Sequence, residues 1–160
     1  MGIRLWPGLK VGEVAPAFSL ADQDGRSRSL DDFRGRWLVV FFYPKDNTPG
    51  CVREACRFGD EHERFKALGA EIIGISGDDT ASHQRFRKSC RLRYDLLSDP
   101  ERSMRKAWKV PHVLRALEGR TTYIVDPQGL IRFVFDQRLR AEEHPIRALA
   151  FLEKEPALHA

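Results

Sequence analysis

The sequence predicts an α/β fold: a central mixed β-sheet flanked by helices, with an N-terminal β-hairpin. Three observations carry this. The apolar run Trp37-Leu38-Val39-Val40-Phe41-Phe42-Tyr43 reads as a strand buried on both faces. Further along, strand-like runs alternate with segments whose apolar residues recur at helical spacing. No internal repeat, low-complexity tract or long linker divides the 160 residues, so one domain over 1–160 is expected.

The elements follow in order. Asp24-Gly25, between Phe18-Ser19-Leu20 and Arg26-Ser27-Arg28-Ser29-Leu30, is the hairpin turn. Leu30 to Phe33 makes one helical turn, ended by Gly35. The buried strand at 37–43 leads into a helix over 49–68. In it Glu54, Ala55, Phe58, His62 and Phe65 recur at helical spacing, and Gly69 ends it. A second central strand is expected at Glu71-Ile72-Ile73-Gly74-Ile75-Ser76, and a helix over 80–90. Asp99 and Pro100 suit an N-cap and first helical residue, opening a helix through Trp108. Strands at 121–125 and 130–135 surround the turn Asp126-Pro127-Gln128-Gly129. A closing helix spans 142–154, with Ile146, Leu149, Ala150 and Leu152 inward. A helix joins the first two central strands, which makes them parallel; a tight turn joins the last two, which makes them antiparallel. The sum is a thioredoxin-like arrangement.

Hydrophobic content of 42% and charged content of 31% fit a soluble globular protein. No apolar run approaches the ~20 residues that span a bilayer. The opening Met1-Gly2-Ile3-Arg4-Leu5-Trp6-Pro7-Gly8 has no long apolar core, no small-residue cleavage site and no myristoylation pattern, so a cytoplasmic protein is expected. Of the net charge of +4, the densest part is Arg85, Arg87, Lys88, Arg91 and Arg93. This reads as a solvated helix face. No helix-turn-helix, zinc-finger or aromatic RNA-binding pattern accompanies it, so neither nucleic acid nor membrane is an expected partner. Three cysteines make no disulfide framework, but the close pair Cys51 and Cys56 points to redox work or a metal.

Cys51 sits where a strand ends, a loop turns and a helix begins. Thr48 supplies an N-cap oxygen and Pro49 a first helical residue, which puts Cys51 in the first turn. Backbone N–H groups and the helix dipole there favour a thiolate, and a thiol pKa of about 8.5 falls by one or more units at such a site near a cation. Arg120 is the candidate cation, because the strand it precedes should neighbour the one ending at Tyr43. Its fork of donors, with Thr48 and the Cys51 N–H, suits the two oxygens of a small peroxide.

The segment Pro44-x-x-x-Thr48-x-x-Cys51 resembles the peroxiredoxin active-site motif, and the spacing to Cys56 resembles the peroxiredoxin Q, or bacterioferritin comigratory protein, group. The similarity extends over Gly12-x-x-Ala15-Pro16-x-Phe18, Tyr43-Pro44-Lys45, Gly74-Ile75-Ser76-x-Asp78, Leu96-Leu97-Ser98-Asp99 and Arg120-Thr121-Thr122-Tyr123-Ile124-Val125-Asp126. The resemblance implies a thioredoxin-fold thiol peroxidase of antioxidant defence, reducing hydrogen peroxide and alkyl hydroperoxides. In it Cys51 is the peroxidatic nucleophile and becomes a sulfenic acid. Thr48 and Arg120 orient the peroxide, Pro44 shields the loop, and Glu54 positions an arginine. Cys56 resolves the sulfenic acid as an intramolecular disulfide that thioredoxin or a similar dithiol protein reduces. No cofactor or metal is implied. Val52 and Gly59 depart from the pattern, standing where relatives often carry threonine and arginine.

Five residues along an ideal helix separate two Cα atoms by ~8.7 Å, whereas a disulfide needs less than about 7 Å. The first turns of this helix are therefore expected to unwind on oxidation, eased by Gly59, which costs about 1 kcal/mol relative to alanine. Unchanged circular dichroism and hydrogen exchange at 49–60 on forming the disulfide would contradict this.

Other readings stand beside these. Cys56 as a passive helix residue would make a single-cysteine enzyme. Arg120 as a surface ion-pair partner and Thr48 as a cap alone are the bland alternatives. Cys90 matches no motif position and reads as an inert thiol. His62 reads as a satisfied core histidine, and His83, His112, His144 and His159 have no ligand spacing with the cysteines. A copper carrier of thioredoxin-like fold would use two cysteines and a histidine, and the Pro-x-x-x-Thr-x-x-Cys loop argues against it. A Cys-x-x-Cys oxidoreductase fails for want of the motif. The short C-terminal tail carries no cysteine for an intersubunit bond, which tilts the expectation to a monomer over a dimer.

Overall fold

The computed structural model describes residues 7–114 and 117–155. Residues 1–6, read above for a leader, His159 and the C-terminal tail lie outside the described residues, as does the side chain of His112.

Seven strands form one sheet in the order β2-β1-β5-β4-β3-β8-β9. The hairpin is β1 (Ser19–Ala21) with β2 (Ser27–Ser29), closed by Gly25 at φ +78°. A 3₁₀ turn at Leu30–Phe33 leads into β3 (Trp37–Phe42), the middle of the sheet. β3 runs parallel to β4 (Ala70–Ser76), which runs parallel to β5 (Asp95–Ser98). On its other side β3 runs antiparallel to β8 (Thr121–Val125), itself antiparallel to β9 (Ile131–Asp136). The parallel and antiparallel pairings match the sequence expectation. β5 and a small ribbon of β6 (His112–Leu114) and β7 (Leu117–Glu118) were not expected; at two to four residues each, they are too short to show a period.

β3 is buried along its whole length because both faces are covered. Trp37, Val39, Phe41 and Tyr43 meet α1 (Pro49–Asp60), α3 (Thr80–Ser89) and α5 (Glu143–Lys154) through Cys51, Ala55, Phe58, Phe86, Ala148, Leu149 and Leu152. Leu38, Val40 and Phe42 face the opposite core, with Phe18, Leu30, Phe33 and Trp108. Gly74 fits this packing. A β-carbon there would stand 2.7 Å from Phe41 Cζ, and the freed space lets the Phe41 ring stack on Phe58 of α1 at 4.5 Å. The helix that carries Cys51 is thus seated on the central strand.

Three helices differ from expectation. The helix expected over 49–68 breaks at Glu61 (φ −97°, ψ 6°) into α1 and α2 (His62–Ala67). The Glu61 N–H turns to the carbonyls of both Arg57 and Gly59, a tightened turn, while Phe58 and Phe65 still enter the same core. Asp99 and Pro100 open no helix; α4 (Ser103–Ala107) starts after Arg102 at φ +62°. Asp99 still caps it from a distance, accepting from the N–H of Met104 at 3.2 Å and of Arg105 at 2.9 Å. In α5 the inward residues are His144, Pro145, Ala148, Leu149 and Leu152, and Ile146 and Ala150 are exposed. Leu149 and Leu152 face inward as expected, while His144, Pro145 and Ala148 take the place of Ile146 and Ala150.

Candidate active site

Pro49 is the first residue of α1 and Cys51 lies in its first turn, buried, as the sequence predicts. Thr48 occupies the N-cap position, and its carbonyl accepts from Val52 N–H at 2.8 Å. Its hydroxyl does not cap. It donates instead to the Lys45 carbonyl at 2.9 Å, so the expected N-cap oxygen is turned back into the loop. Among the described residues no acceptor meets the Gly50 and Cys51 N–H groups, which point from the helix start as unpaired donors. Pro44 is half-buried near the start of the loop.

Register brings Arg120 to this point. Phe42 pairs with Thr121, so the residue before β8 lies at the mouth of β3. Arg120 is buried and its Nη1 lies 3.5 Å from Cys51 Sγ. The same nitrogen donates to Glu54 Oε1 at 2.5 Å, and Nε donates to the Arg138 carbonyl at 3.1 Å. Gly50 permits the approach, since a β-carbon there would meet Arg120 Nη2 at 3.1 Å. Burial opposes the charge of Arg120, but Glu54 and Cys51 outweigh it and its pKa is raised.

Glu54 is fully buried, one turn after Cys51. Burial pushes its carboxyl up to about 8 against the pull of Arg120. Among the described residues its Oε2 has no hydrogen-bond partner, and it lies 3.7 Å from His144 Nδ1. That histidine is neutral: burial, aided by the charge of Arg120, brings it down to about 4 against the Gln137 contact. Its Nε2–H donates to the Gln137 carbonyl at 2.6 Å, so Nδ1 accepts from the Thr122 hydroxyl at 2.8 Å. The buried Arg120 cation thus stands beside a carboxyl whose proton burial favours and a neutral imidazole.

A second polar cluster fixes the loop. Asp46 is buried and accepts from Tyr43 OH at 2.6 Å and Ser82 Oγ at 2.9 Å, and its Oδ2 lies 2.7 Å from His83 Nδ1. His83 Nε2 is 3.0 Å from the Leu97 carbonyl, which can only accept, so Nε2 carries a hydrogen and one proton is shared between Nδ1 and Asp46. Arg105, also buried, donates to the Tyr43 and Gly119 carbonyls at 3.0 Å each, tying together the strand ends that carry the loop and Arg120.

Cys56 is half-buried five residues along α1. Burial, then a hydrogen bond to Cys90, pushes its thiol up to about 12. His62 is not the satisfied core histidine expected, because its buried Nδ1 has no hydrogen bond among the described residues and lies 3.9 Å from Glu63. Among the described residues no group of three or more His, Cys, Asp or Glu side chains is placed to hold a metal ion.

The AhpC/TSA family model matches residues 11–134. The chain belongs to that family. Among curated proteins it is 49% identical over 143 residues to "Peroxiredoxin Q, chloroplastic" of Suaeda salsa, covering 89% of this chain and 67% of that one. The chain thus spans about two thirds of that relative's length. Among solved structures, the peroxidoxin BcpB of Mycobacterium tuberculosis superposes with a TM-score of 0.85 at 31% identity, covering 95% of this chain and 99% of that one. The bacterioferritin comigratory protein of Xanthomonas campestris, described for its alkyl peroxide reduction activity, gives a TM-score of 0.79 at 28% identity, covering 85% and 90%. These matches bear out the thioredoxin-like fold and the peroxiredoxin Q group, and membership implies a thiol peroxidase with a peroxidatic cysteine.

One expectation is corrected. The sequence suggested a cytoplasmic protein, whereas curated peroxiredoxin Q relatives at 45–49% identity are named chloroplastic. The cytoplasmic reading rested on the composition of the first eight residues, which says nothing about the compartment of a mature fold.

The peroxiredoxin resemblance pointed to Cys51, Thr48, Arg120 and Glu54, and the structure brings Cys51, Glu54 and Arg120 into contact, with the Thr48 hydroxyl turned to the Lys45 carbonyl. It did not point to Asp46, His83, Arg105 or His144. Asp46 lies inside the motif, and its position between Tyr43 and Thr48 was the available signal. The two histidines and Arg105 reach the site by tertiary packing alone.

Proposed function

We propose that the protein reduces hydrogen peroxide and organic hydroperoxides at Cys51, with Cys56 as resolving residue and a thioredoxin-like dithiol as reductant. The observation that carries this is a buried Cys51 sulfur 3.5 Å from the Arg120 guanidinium, beside unpaired N–H groups of the first turn of α1. A peroxide held by those donors presents one oxygen to the sulfur. The Cys51 thiolate attacks it, the O–O bond breaks, and the leaving oxygen departs as water or alcohol after taking a proton. Cys51 is left as a sulfenic acid. Arg120 and the N–H groups meet the negative charge that develops on the oxygens. The alkyl peroxide activity described for the Xanthomonas protein supports the breadth of substrate.

Cys56 then attacks the sulfenic sulfur, water leaves, and a Cys51–Cys56 disulfide forms. Both residues lie in one unbroken helix, Pro49–Asp60. The ~8.7 Å between such Cα atoms forbids the bond until the helix opens. A thiol pushed up to about 12 is also slow to supply the thiolate that attacks.

A peroxide-consumption assay coupled to thioredoxin tests this on wild type, Cys51→Ser and Cys56→Ser. The first variant is expected to be inactive. The second is expected to react once and stall without an added thiol; full recycling by thioredoxin in it removes Cys56 from the resolving role.

A further inference from the structure

Cys90 matches no position of the peroxiredoxin motif, yet it meets Cys56. The chain after α3 lies along α1 and touches it on both sides of Cys56. Tyr94 OH donates to the Ala55 carbonyl at 2.7 Å, and a β-carbon on Gly59 would come within 3.2 Å of Leu92 Cδ2. Between those contacts lies Cys56, and Cys90 packs against the same core as Ala55 and Phe58 and adds to the rise in the Cys56 pKa. Cys90 caps the end of α3, half-buried, between exposed Ser89 and Arg91. The Tyr94 anchor on Ala55 also decides which part of α1 yields on oxidation. Opening α1 on the other side of that anchor, with loss of the Glu54–Arg120 bond, would bring Cys51 toward Cys56.

We propose that Cys90 is a second resolving cysteine, which takes over the oxidised Cys56 and passes the disulfide outward as a Cys56–Cys90 bond. The proposal rests on the reading of Cys51 as peroxidatic and Cys56 as its partner. Once the Cys51–Cys56 bond has formed, Cys90 gives up its proton to water and its sulfur attacks Cys56 Sγ. The Cys51–Cys56 bond breaks, the Cys56–Cys90 bond forms, and Cys51 leaves as a thiolate. No oxidant or reductant is consumed, because the exchange conserves one disulfide. In the reduced helix the Cys51 sulfur lies 3.5 Å from Arg120, so the thiolate released by the exchange is the one the fold stabilises once it is back in place. Cys51, no longer tethered, returns to the first turn of α1. The finished disulfide lies away from the peroxide site, on partly exposed residues that a dithiol reductant can reach.

Reduced protein is mixed with about one equivalent of hydrogen peroxide without reductant, alkylated at intervals, and its disulfides mapped by peptide mass spectrometry. The Cys51–Cys56 bond is expected first, giving way to Cys56–Cys90 with Cys51 alkylated. Since Cys51 is then free, in a separate titration with added peroxide wild type consumes about two equivalents per chain before the reaction slows, and Cys90→Ser, held at Cys51–Cys56, about one. A stable Cys51–Cys56 bond in wild type with the same stoichiometry in both proteins overturns the proposal, and so does a Cys51–Cys90 bond with no Cys56–Cys90 bond. Failure of wild type to consume any peroxide overturns instead the peroxidase reading beneath it.

Discussion

Replacing Glu54 by glutamine separates the cost of a buried carboxyl from its use. Glu54 has an ordinary value of 4.5 and is pushed up to about 8 by burial. Below the lower value it is protonated whether the chain is folded or not, and it contributes nothing. Between the two values the folded chain keeps a proton that the unfolded chain has released, so stability falls as pH rises. Above about 8 both states are ionised and the cost is complete, about 5 kcal/mol at ~1.4 kcal/mol per pH unit. The amide keeps an oxygen for Arg120 Nη1 and does not titrate. Relative to wild type, the Glu54→Gln protein is therefore expected to gain stability by about 1 kcal/mol at about pH 5, about 3 at about pH 7 and about 5 at about pH 9. Urea unfolding of the reduced proteins at those pH values measures the difference. A difference that does not change with pH refutes the argument. The functional counterpart has the same sign. An ionised Glu54 competes with Cys51 for one Arg120 nitrogen, so above about pH 8 the wild-type rate with peroxide should fall relative to the variant.

Arg120→Lys keeps a charge but cannot meet Cys51, Glu54 and the Arg138 carbonyl together. A loss of about 10²–10³ in the rate constant with peroxide is expected in stopped-flow measurements, and an unchanged constant removes the guanidinium from the chemistry. His83→Leu leaves the buried Asp46 without its proton-sharing partner. It should cost about 3–5 kcal/mol by urea unfolding and slow the peroxide reaction by loosening the loop at 44–48; a loss below about 1 kcal/mol contradicts the pairing.

Most of the sheet was legible because its strands obey simple rules. β3 is a continuous apolar run, and the Asp24-Gly25 and Asp126-Gly129 turns fix two hairpins. β5 was not, since four residues with Asp95 and Ser98 at the ends carry no period, and it is held by β4 and β1 on either side. The helix face of α5 misled because His144, a polar residue, is fully buried where Ile146 is not. Its burial is made possible by Thr122 and Gln137, both distant in sequence. Cys51, Glu54 and Arg120 were legible because helix spacing and strand order place them with few alternatives. The Thr48 hydroxyl was not, because a capping residue has a second acceptor within reach, here the Lys45 carbonyl. The contact between Cys56 and Cys90 depends on how α3 ends against α1, which no local pattern records.

The central claim is that peroxide oxidises Cys51 and no other thiol first. Mixing the reduced Cys56→Ser protein with about one equivalent of hydrogen peroxide in the presence of dimedone, then mapping the adduct by peptide mass spectrometry, tests it directly. A dimedone adduct on Cys51, abolished in the Cys51→Ser protein, is the result predicted. An adduct on Cys90 with Cys51 still a free thiol would contradict it.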